Sequence, residues 1–450
     1  MLKKILIANR GEIAVRIIRA CRELGISTVA IYSEADKYAL HTQMADEAVC
    51  VGGPQSKDSY LNMTNILSAC VLTGCEGIHP GFGFLSENPK FAKMCEECNI
   101  KYIGPDYKII ELMGNKAKAR EVMKKANVPV VPGYEGEITS VSQALEIAKE
   151  IGFPVMIKAA AGGGGKGIRI VNEEGEFEHN YNAAKLESKA CFSDDRIYIE
   201  KFIQKPRHIE FQILAYEYGN TIHLGERECS LQRNNQKVLE EAPSTFLNPK
   251  LREKMGEVAK CAAKAVNYKN AGTIEFLVDK DCNFYFMEMN TRIQVEHPIT
   301  EMVTGVDIVK EQLKIASGKK LDLIQDDICI SGNAIECRIN AEDTDNNFRP
   351  SPGLIKELYI PSGPGVRVDS AIYSGYEIPP YYDSMIGKMI TYGATRDEAI
   401  IKMKRALGEF AIGGVKTNID FQYSILNNRD FVKGNYDTSF IAEKLVRNNA

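Results

Sequence analysis

The chain has 450 residues, 44% apolar and 26% charged, with 56 Lys+Arg against 60 Asp+Glu and a formal charge of −4. That length predicts two or three packed domains, and the composition excludes a disordered chain. The near-balanced charge excludes a global electrostatic pull toward nucleic acid or an anionic membrane, so no partner of either kind is expected.

The start, Met1-Leu2-Lys3-Lys4 before Ile5-Leu6-Ile7-Ala8, is charged and then apolar, but Asn9-Arg10 interrupt it after four residues. It reads as a first strand and not as a secretory leader. No run of 18 uncharged apolar residues predicts a membrane span. Twelve cysteines are scattered, and the one close CxxC, Cys95 and Cys98, reads as ordinary thiols on a helix. A reducing, cytoplasmic setting is expected.

In chain order, Lys3 to Ala8 predicts a strand, and Ile13, Ile17, Ile18 and Cys21 a helix before Gly25. Ile26 to Tyr32 is the next strand. The same rhythm around Gly77-Ile78-His79 and Lys101-Tyr102-Ile103 predicts an α/β domain with a parallel sheet over 1–114. Gly11 alone stands where a GxGxxG dinucleotide fingerprint needs three glycines, so NAD is not expected.

A second segment, 115–203, begins with a helix from Lys116 to Lys125 and a second from Ser140 to Ile151. The strand Phe153 to Lys158, the loop Gly162-Gly163-Gly164-Gly165-Lys166-Gly167 and the strand Ile168 to Val171 follow, predicting a mobile hairpin tip. The last segment, 204–450, mixes strands at 209–214, 272–278 and 284–289 with helices at 250–266 and 395–409, an α+β pattern.

Three features carry chemistry. Successive glycines at 162–165 free backbone N–H groups that can converge on phosphate, with Lys166 adding charge, although a surface hairpin would read the same. The loop lacks the GK[ST] ending of a Walker A motif and precedes a strand, which disfavours a P-loop fold. Second, Glu288, Asn290, Arg292, Gln294 and Glu296 occupy alternate positions. If the whole stretch to Pro298 is extended they share one face, with Met289, Ile293 and Val295 on the other. Third, Glu275 shares a face with Glu288 if the turn between their strands has four residues, making a hard-oxygen site for Mg²⁺ with Asn290; a five-residue turn puts the acids on opposite faces.

These features sit within a longer series of motifs: Ile7-Ala8-Asn9-Arg10-Gly11-Glu12-Ile13-Ala14, His79-Pro80-Gly81-Phe82-Gly83-Phe84-Leu85-Ser86-Glu87, the glycine loop, Glu226-Arg227-Glu228-Cys229-Ser230, Glu288 through Pro298, and Glu336-Cys337-Arg338-Ile339-Asn340-Ala341-Glu342-Asp343. In this order they resemble the ATP-grasp superfamily, and within it the biotin carboxylase subunits of bacterial acetyl-CoA carboxylases, over essentially the whole length.

The resemblance implies an ATP-grasp fold with an N-terminal parallel-sheet domain, a small glycine-loop lid domain and a large C-terminal domain, with ATP between lid and large domain. It implies that Lys116, Lys158, Gly163, Gly164, Gly165 and Lys166 meet phosphates. Glu200, Lys201 and Ile203 would hold adenine, while His208, Glu210 and Gln232 would surround ribose and phosphates. Glu275 and Glu288, with Asn290 beside them, would ligate Mg²⁺ or Mn²⁺. Bicarbonate would be held by Lys237, Arg292, Gln294 and the backbone of Val295; Glu296 would be the general base. Arg338 would face the biotin enolate oxygen, with Phe82 also toward biotin. The implied route is through carboxyphosphate and then CO₂. Asn235 departs from the pattern where the family's histidine is expected beside ATP; an amide cannot carry a proton.

No Ala-Met-Lys-Met biotinylation motif is present. The resemblance therefore implies a separate biotin carboxyl carrier protein, carboxyltransferase subunits and a homodimer. An amine or amino-acid ligase of the ATP-grasp type is favoured only by the loop and metal face, and a silent nucleotide-binding protein only by Asn235.

Overall fold

The structure, a computed structural model, describes residues 1–134, 138–159, 168–192, 197–216, 219–320 and 323–445. Two compact units emerge: residues Met1–Val128, Arg207–Phe276 and Glu288–Ala450 form one, and Pro129–Pro206 with Leu277–Met287 the other.

The first unit opens with five parallel strands, β1 (Lys4–Ile7), β2 (Ser27–Ser33), β3 (Glu47–Gly52), β4 (Gly77–His79) and β5 (Lys101–Tyr102), in the order β3-β2-β1-β4-β5. The central strands β1, β2 and β4 are short apolar runs buried on both faces, as the alternation of strand and helix requires, while the edge strand β3 is largely exposed. Ile7 pairs with His79, so the first two sequence motifs leave adjacent parallel strands at the same end of the sheet. There Asn9 Nδ2 donates to the carbonyls of Pro80 and Phe82, both at 2.7 Å. Only glycine fits at 81: its φ is +62°, and a Cβ would stand 2.9 Å from Asn9 Nδ2.

In the second unit, β6 (Gly133–Tyr134), β7 (Val155–Ala159), β8 (Ile168–Val171) and β9 (Ile197–Lys201) form the antiparallel order β6-β9-β7-β8. Its core is Ala144, Ile147, Val155, Ile157, Phe177 and Ile199, packed under the helices Val141–Ile151 and Phe177–Phe192. Ser140 caps the first of these by accepting from Gln143 N.

The large sheet, in the first unit except for residues 277–278 and 284–287, holds β10 (Arg207–Ala215), β11 (Thr221–Arg233), β12 (Gln236–Ala242), β13 (Asn270–Val278), β14 (Phe284–Asn290), β15 (Asn333–Asn340), β16 (Val366–Ser370) and β17 (Met385–Gly393), ordered β14-β13-β10-β11-β12-β15-β17-β16. One face at the β15 end, through Ile335, Cys337 and Ile339, packs under the helix Arg396–Glu409. The opposite face meets the helix His297–Thr304, where Ile299 and Val303 rest on Ala242, Ala334 and Ile390. Between these small apolar positions the strands carry Glu240, Glu336, Arg338 and Lys388, so the sequence alternation places charged groups beneath that helix.

One sequence expectation needs correction, and one turn length that sequence left open is now set. The extended stretch ends at Asn290: Thr291 N is taken by Glu87 Oε1 and not by a neighbouring strand, the backbone bends, and Glu296 becomes the N-cap of the helix His297–Thr304, whose first turn holds Pro298. Proline suits that position because no partner exists there for its missing N–H. The turn between β13 and β14 has five residues, Asp279 to Asn283. Asp279 N donates to Asn283 O, Cys282 N donates to Asp279 O, and Cys282 takes φ +63°. Pleat counting from that pair alone would set Glu275 and Glu288 on opposite faces, but Asn290, which alternates with Glu288, donates to Glu275 Oε1 at 2.8 Å, so the longer turn does not separate the two acids.

Candidate active site

Lys237, on β12, is the centre of a buried polar cluster in the first unit. Its Nζ stands 2.5 Å from Glu210 Oε2, 3.0 Å from Glu275 Oε1 and 2.6 Å from Glu296 Oε1. The three acids come from β10, β13 and the start of the helix His297–Thr304, and only the sheet order brings them together. Burial opposes the ammonium charge, but the three carboxylates overcome it and raise Lys237 well above its ordinary pKa.

Each acid is held differently. Glu210 is fully buried, with its other oxygen on the Arg227 guanidinium, which also donates to Gln212, Thr300 and Thr273. The structure thus places Glu210 at the floor of the cluster, between two cations, and not on an open face. Glu275 accepts from Asn290 Nδ2 at 2.8 Å and Gln294 Nε2 at 3.0 Å on the oxygen that meets Lys237, while its Oε2 lies 2.9 Å from His208 Nε2. Gln232 Nε2 lies 2.6 Å from His208 Nδ1; an amide donor there leaves the imidazole proton on Nε2, facing Glu275. Burial would raise Glu275, but Lys237 and His208 outweigh it and hold the carboxyl well below its usual range.

Glu296 joins two cations: Lys237 on Oε1, and Arg338 Nη2 at 3.0 Å on Oε2. Here too burial is overcome, by Lys237, Arg338 and Arg227, and the carboxyl stays far below its usual range. Arg338 Nε donates to Glu240 Oε1 at 2.7 Å. The segment after β14 is no longer extended, yet its side chains still converge. Arg292 donates to Asn290 Oδ1 at 3.0 Å and Gln294 Oε1 at 2.8 Å, and the NH₂ groups of both amides turn to Glu275. Val295 O accepts from the buried Lys388 at 2.8 Å, and Lys388 also meets Glu12 at 3.1 Å.

Other expected residues lie apart from this cluster. Among the described residues, the groups able to gather around an ion are His208, Glu210 and Glu275, and Glu210, Cys229 and Glu296; Glu288 is in neither. Glu288 is half-buried and pairs with Lys116 at 3.3 Å. The set Glu275, Glu288 and Asn290 still fits a hard divalent cation by its chemistry, with two carboxylates and an amide carbonyl on neighbouring strands. Asn235 sits exposed at the two-residue tip between β11 and β12. Asn234 and Asn235 have φ +50° and +63°, a turn that asparagine tolerates where most side chains do not. Phe82 packs against the core and stands 6.0 Å from Lys388 Nζ.

In the second unit, Lys158 pairs with Glu200, and Lys201 Nζ donates to the carbonyls of Gly152 and Phe153 at 2.8 and 2.9 Å, closing a helix end. Ile203 is buried. Gly163, Gly164, Gly165 and Lys166 lie outside the described residues.

Sequence reasoning missed four contributors. Glu87 holds Arg292 Nε at 2.9 Å as well as Thr291 N; Arg227 braces Glu210; Lys388 fixes Val295; Glu240 holds Arg338. Lys388 had a signal, a lone cation inside the apolar run Met385 to Ile390. The partners of Arg227 and Glu240 are set by sheet order, and Glu87 meets Arg292 between two non-strand segments 205 positions apart, neither of which a local pattern displays.

The arrangement can hold a small anion against Lys237 and Arg292 beside an ionised carboxylate, with Arg338 on that carboxylate's far side. Comparison with known proteins agrees with this chemistry. Residues 1–110 match the biotin carboxylase N-terminal domain, 115–324 the ATP-binding domain of the carbamoyl-phosphate synthase L chain, and 336–443 the biotin carboxylase C-terminal domain. The chain is 60% identical to Biotin carboxylase 1 of Bacillus subtilis, covering 98% of each chain. It is 54% identical to a pyruvate carboxylase subunit of Methanothermobacter thermautotrophicus, covering 98% of this chain and 90% of the other. A crystal structure of the biotin carboxylase domain dimer of Hydrogenobacter thermophilus 2-oxoglutarate carboxylase, with MgADP, ADP and bicarbonate, is similar at TM-score 0.90 and 52% identity, covering 98% of both chains. From its motifs, its sheet and these matches, the chain belongs to the biotin carboxylase family of ATP-grasp enzymes.

Proposed function

We propose that this protein uses ATP and bicarbonate to carboxylate biotin on a separate biotin carboxyl carrier protein, as the first step of acetyl-CoA carboxylation to malonyl-CoA. The supporting observation is the buried chain Lys237, Glu296, Arg338: one carboxylate between two cations at 2.6 and 3.0 Å.

On this reading bicarbonate lies against Lys237, Arg292, Gln294 and the Val295 backbone. Glu296 takes its proton, and the bicarbonate oxygen attacks the γ-phosphoryl of ATP, giving carboxyphosphate and ADP. Ionised and flanked by cations, Glu296 is a weak base until substrate enters. Once it is protonated, its hold on Lys237 and Arg338 weakens, and both cations turn to the charge forming on substrate. Carboxyphosphate then breaks to CO₂ and phosphate, phosphate takes the ureido proton, and the ureido nitrogen bonds the CO₂ carbon while Arg338 steadies the enolate oxygen, with Phe82 toward the ring. Bound at Glu275 and Glu288 with Asn290 beside them, Mg²⁺ (or Mn²⁺) would offset triphosphate charge. Lys116, Lys158 and the loop 163–166 would meet phosphates, Glu200, Lys201 and Ile203 the adenine, and His208, Gln232 and Asn235 the ribose and phosphates. Glu210 enters this reading as the brace of Lys237.

Carboxyltransferase subunits, a homodimer and a cytoplasmic location complete the proposal, with the segments 1–114, 115–203 and 204–450 as its domains. No helix among the described residues is long and apolar enough to cross a membrane. A keto-acid acceptor is the second reading, favoured by the 54% identity to a pyruvate carboxylase component. Bicarbonate-dependent ADP release, followed with and without biotin, tests the core reaction; absence of stimulation by free or carrier-bound biotin defeats it. Reconstitution with candidate transferases and acetyl-CoA or pyruvate separates the two acceptors.

A further inference from the structure

Glu240 on β12 and Glu336 on β15 are register partners across an antiparallel pair, so their side chains leave the same face as neighbours. Both are fully buried beneath the helix His297–Thr304. Of their four carboxyl oxygens one is engaged, Glu240 Oε1, by Arg338; Glu240 Oε2 and both oxygens of Glu336 have no hydrogen-bond partner. Two ionised carboxylates so placed, without donors, would be costly, whereas one proton makes a donor for the idle oxygen opposite. Charged groups facing the pair are Arg338 from β15, Lys388 from β17, Lys237 from β12 and Glu296 at the helix start; His297 on that helix is kept neutral by burial and the surrounding cations.

We propose that Glu240 and Glu336 are positioning residues that share a proton behind Arg338, and that this proton sets how tightly Arg338 is held back from biotin. The inference rests on the reading of Arg338 as the group facing the biotin ring. With the proton in place the pair carries one negative charge and Arg338 is free to lean toward a developing enolate. Without it a second negative charge holds the guanidinium on the sheet. Burial, opposed most by Arg338 and aided by the charge of Glu296, pushes Glu240 up to about 7, and burial, opposed by Lys388 and aided by Glu240, pushes Glu336 well above the usual range. The two ionisations belong to the pair. Biotin-dependent turnover therefore falls as pH rises through neutrality.

The test compares the pH profile of biotin-stimulated ADP release in the wild type, Glu336→Gln and Glu240→Gln, each first shown to melt cooperatively. An amide keeps its position permanently neutral. Glu336→Gln, which can never carry the second negative charge, is expected to stay within about threefold of wild type at neutral pH and to lose the alkaline fall or move it upward by more than about one pH unit. Infrared difference spectra of wild type against Glu336→Gln should contain the carbonyl band of a buried protonated acid. Should Glu336→Gln fail to fold, Glu240→Gln must show both effects. An unmoved limb, or a spectrum with no protonated-acid band lost, overturns the proposal. If biotin fails to stimulate the wild type, the role of Arg338 falls, while the infrared band still decides whether the proton is shared.

Discussion

Lys237 Nζ lies 2.6 Å from Glu296 and 3.0 Å from Glu275, so one ammonium neutralises the proposed base and a proposed metal ligand together. Chemistry at either acid is thereby coupled to the position of a single side chain.

Glu296→Gln removes the proton acceptor but keeps the shape. Bicarbonate-dependent turnover is expected to fall on the order of 100-fold or more, the usual contribution of a general base. Nucleotide affinity should change much less. Steady-state ADP release together with equilibrium nucleotide titration measures both, and an undiminished carboxylation rate would remove Glu296 from the mechanism.

Lys237→Met leaves three buried carboxylates without their shared cation. About 3–5 kcal/mol of stability should be lost at neutral pH, as when one partner of a buried ion pair is removed. The folded-state pKa values of Glu275 and Glu296 are depressed, so this stabilisation is present above the unfolded carboxylate value, about 4.3, and disappears as pH falls below it. Denaturation curves of the two proteins should therefore converge on acidification. A gap that stays constant from neutrality to acid would contradict the coupling.

Glu87→Gln weakens the hold on Arg292 Nε and loses the carboxylate charge beside Thr291 N. With Arg292 no longer fixed, the bicarbonate KM should rise on the order of 10-fold, about 1.4 kcal/mol, with a smaller change in kcat. A kcat effect larger than the KM effect would assign Glu87 a different role.

Asn235→Ala forces a Cβ-bearing residue with no compensating amide into the left-handed tip between β11 and β12. A loss of about 1 kcal/mol is expected, with Asn235→Gly near neutral. Thermal melts decide this, and parallel nucleotide titrations show whether the amide also contributes to ATP binding.

Local pattern by itself determined much of this protein. The helices at 116–125 and 141–151, the strands β7, β8, β10, β13 and β14, the parallel N-terminal sheet and the motif residues were legible because 3.6- and 2-residue periodicity act over a few neighbours, whereas β9, β11 and β12 were not read as strands. The same logic failed after Asn290, where alternation of polar and apolar residues suggested one long strand. A proline at a helix start and the capture of Thr291 by Glu87, 204 positions away in sequence, ended it.

What tertiary structure alone decided is which charges meet. Lys237 finds Glu210, Glu275 and Glu296 because β10, β13 and the helix after β14 surround it, and Glu240 meets Glu336 because β12 lies beside β15. A buried charge takes its pKa and its usefulness from such neighbours, and strand order, which sets them, is fixed by the packing of whole sheets and leaves no mark in any local run of residues.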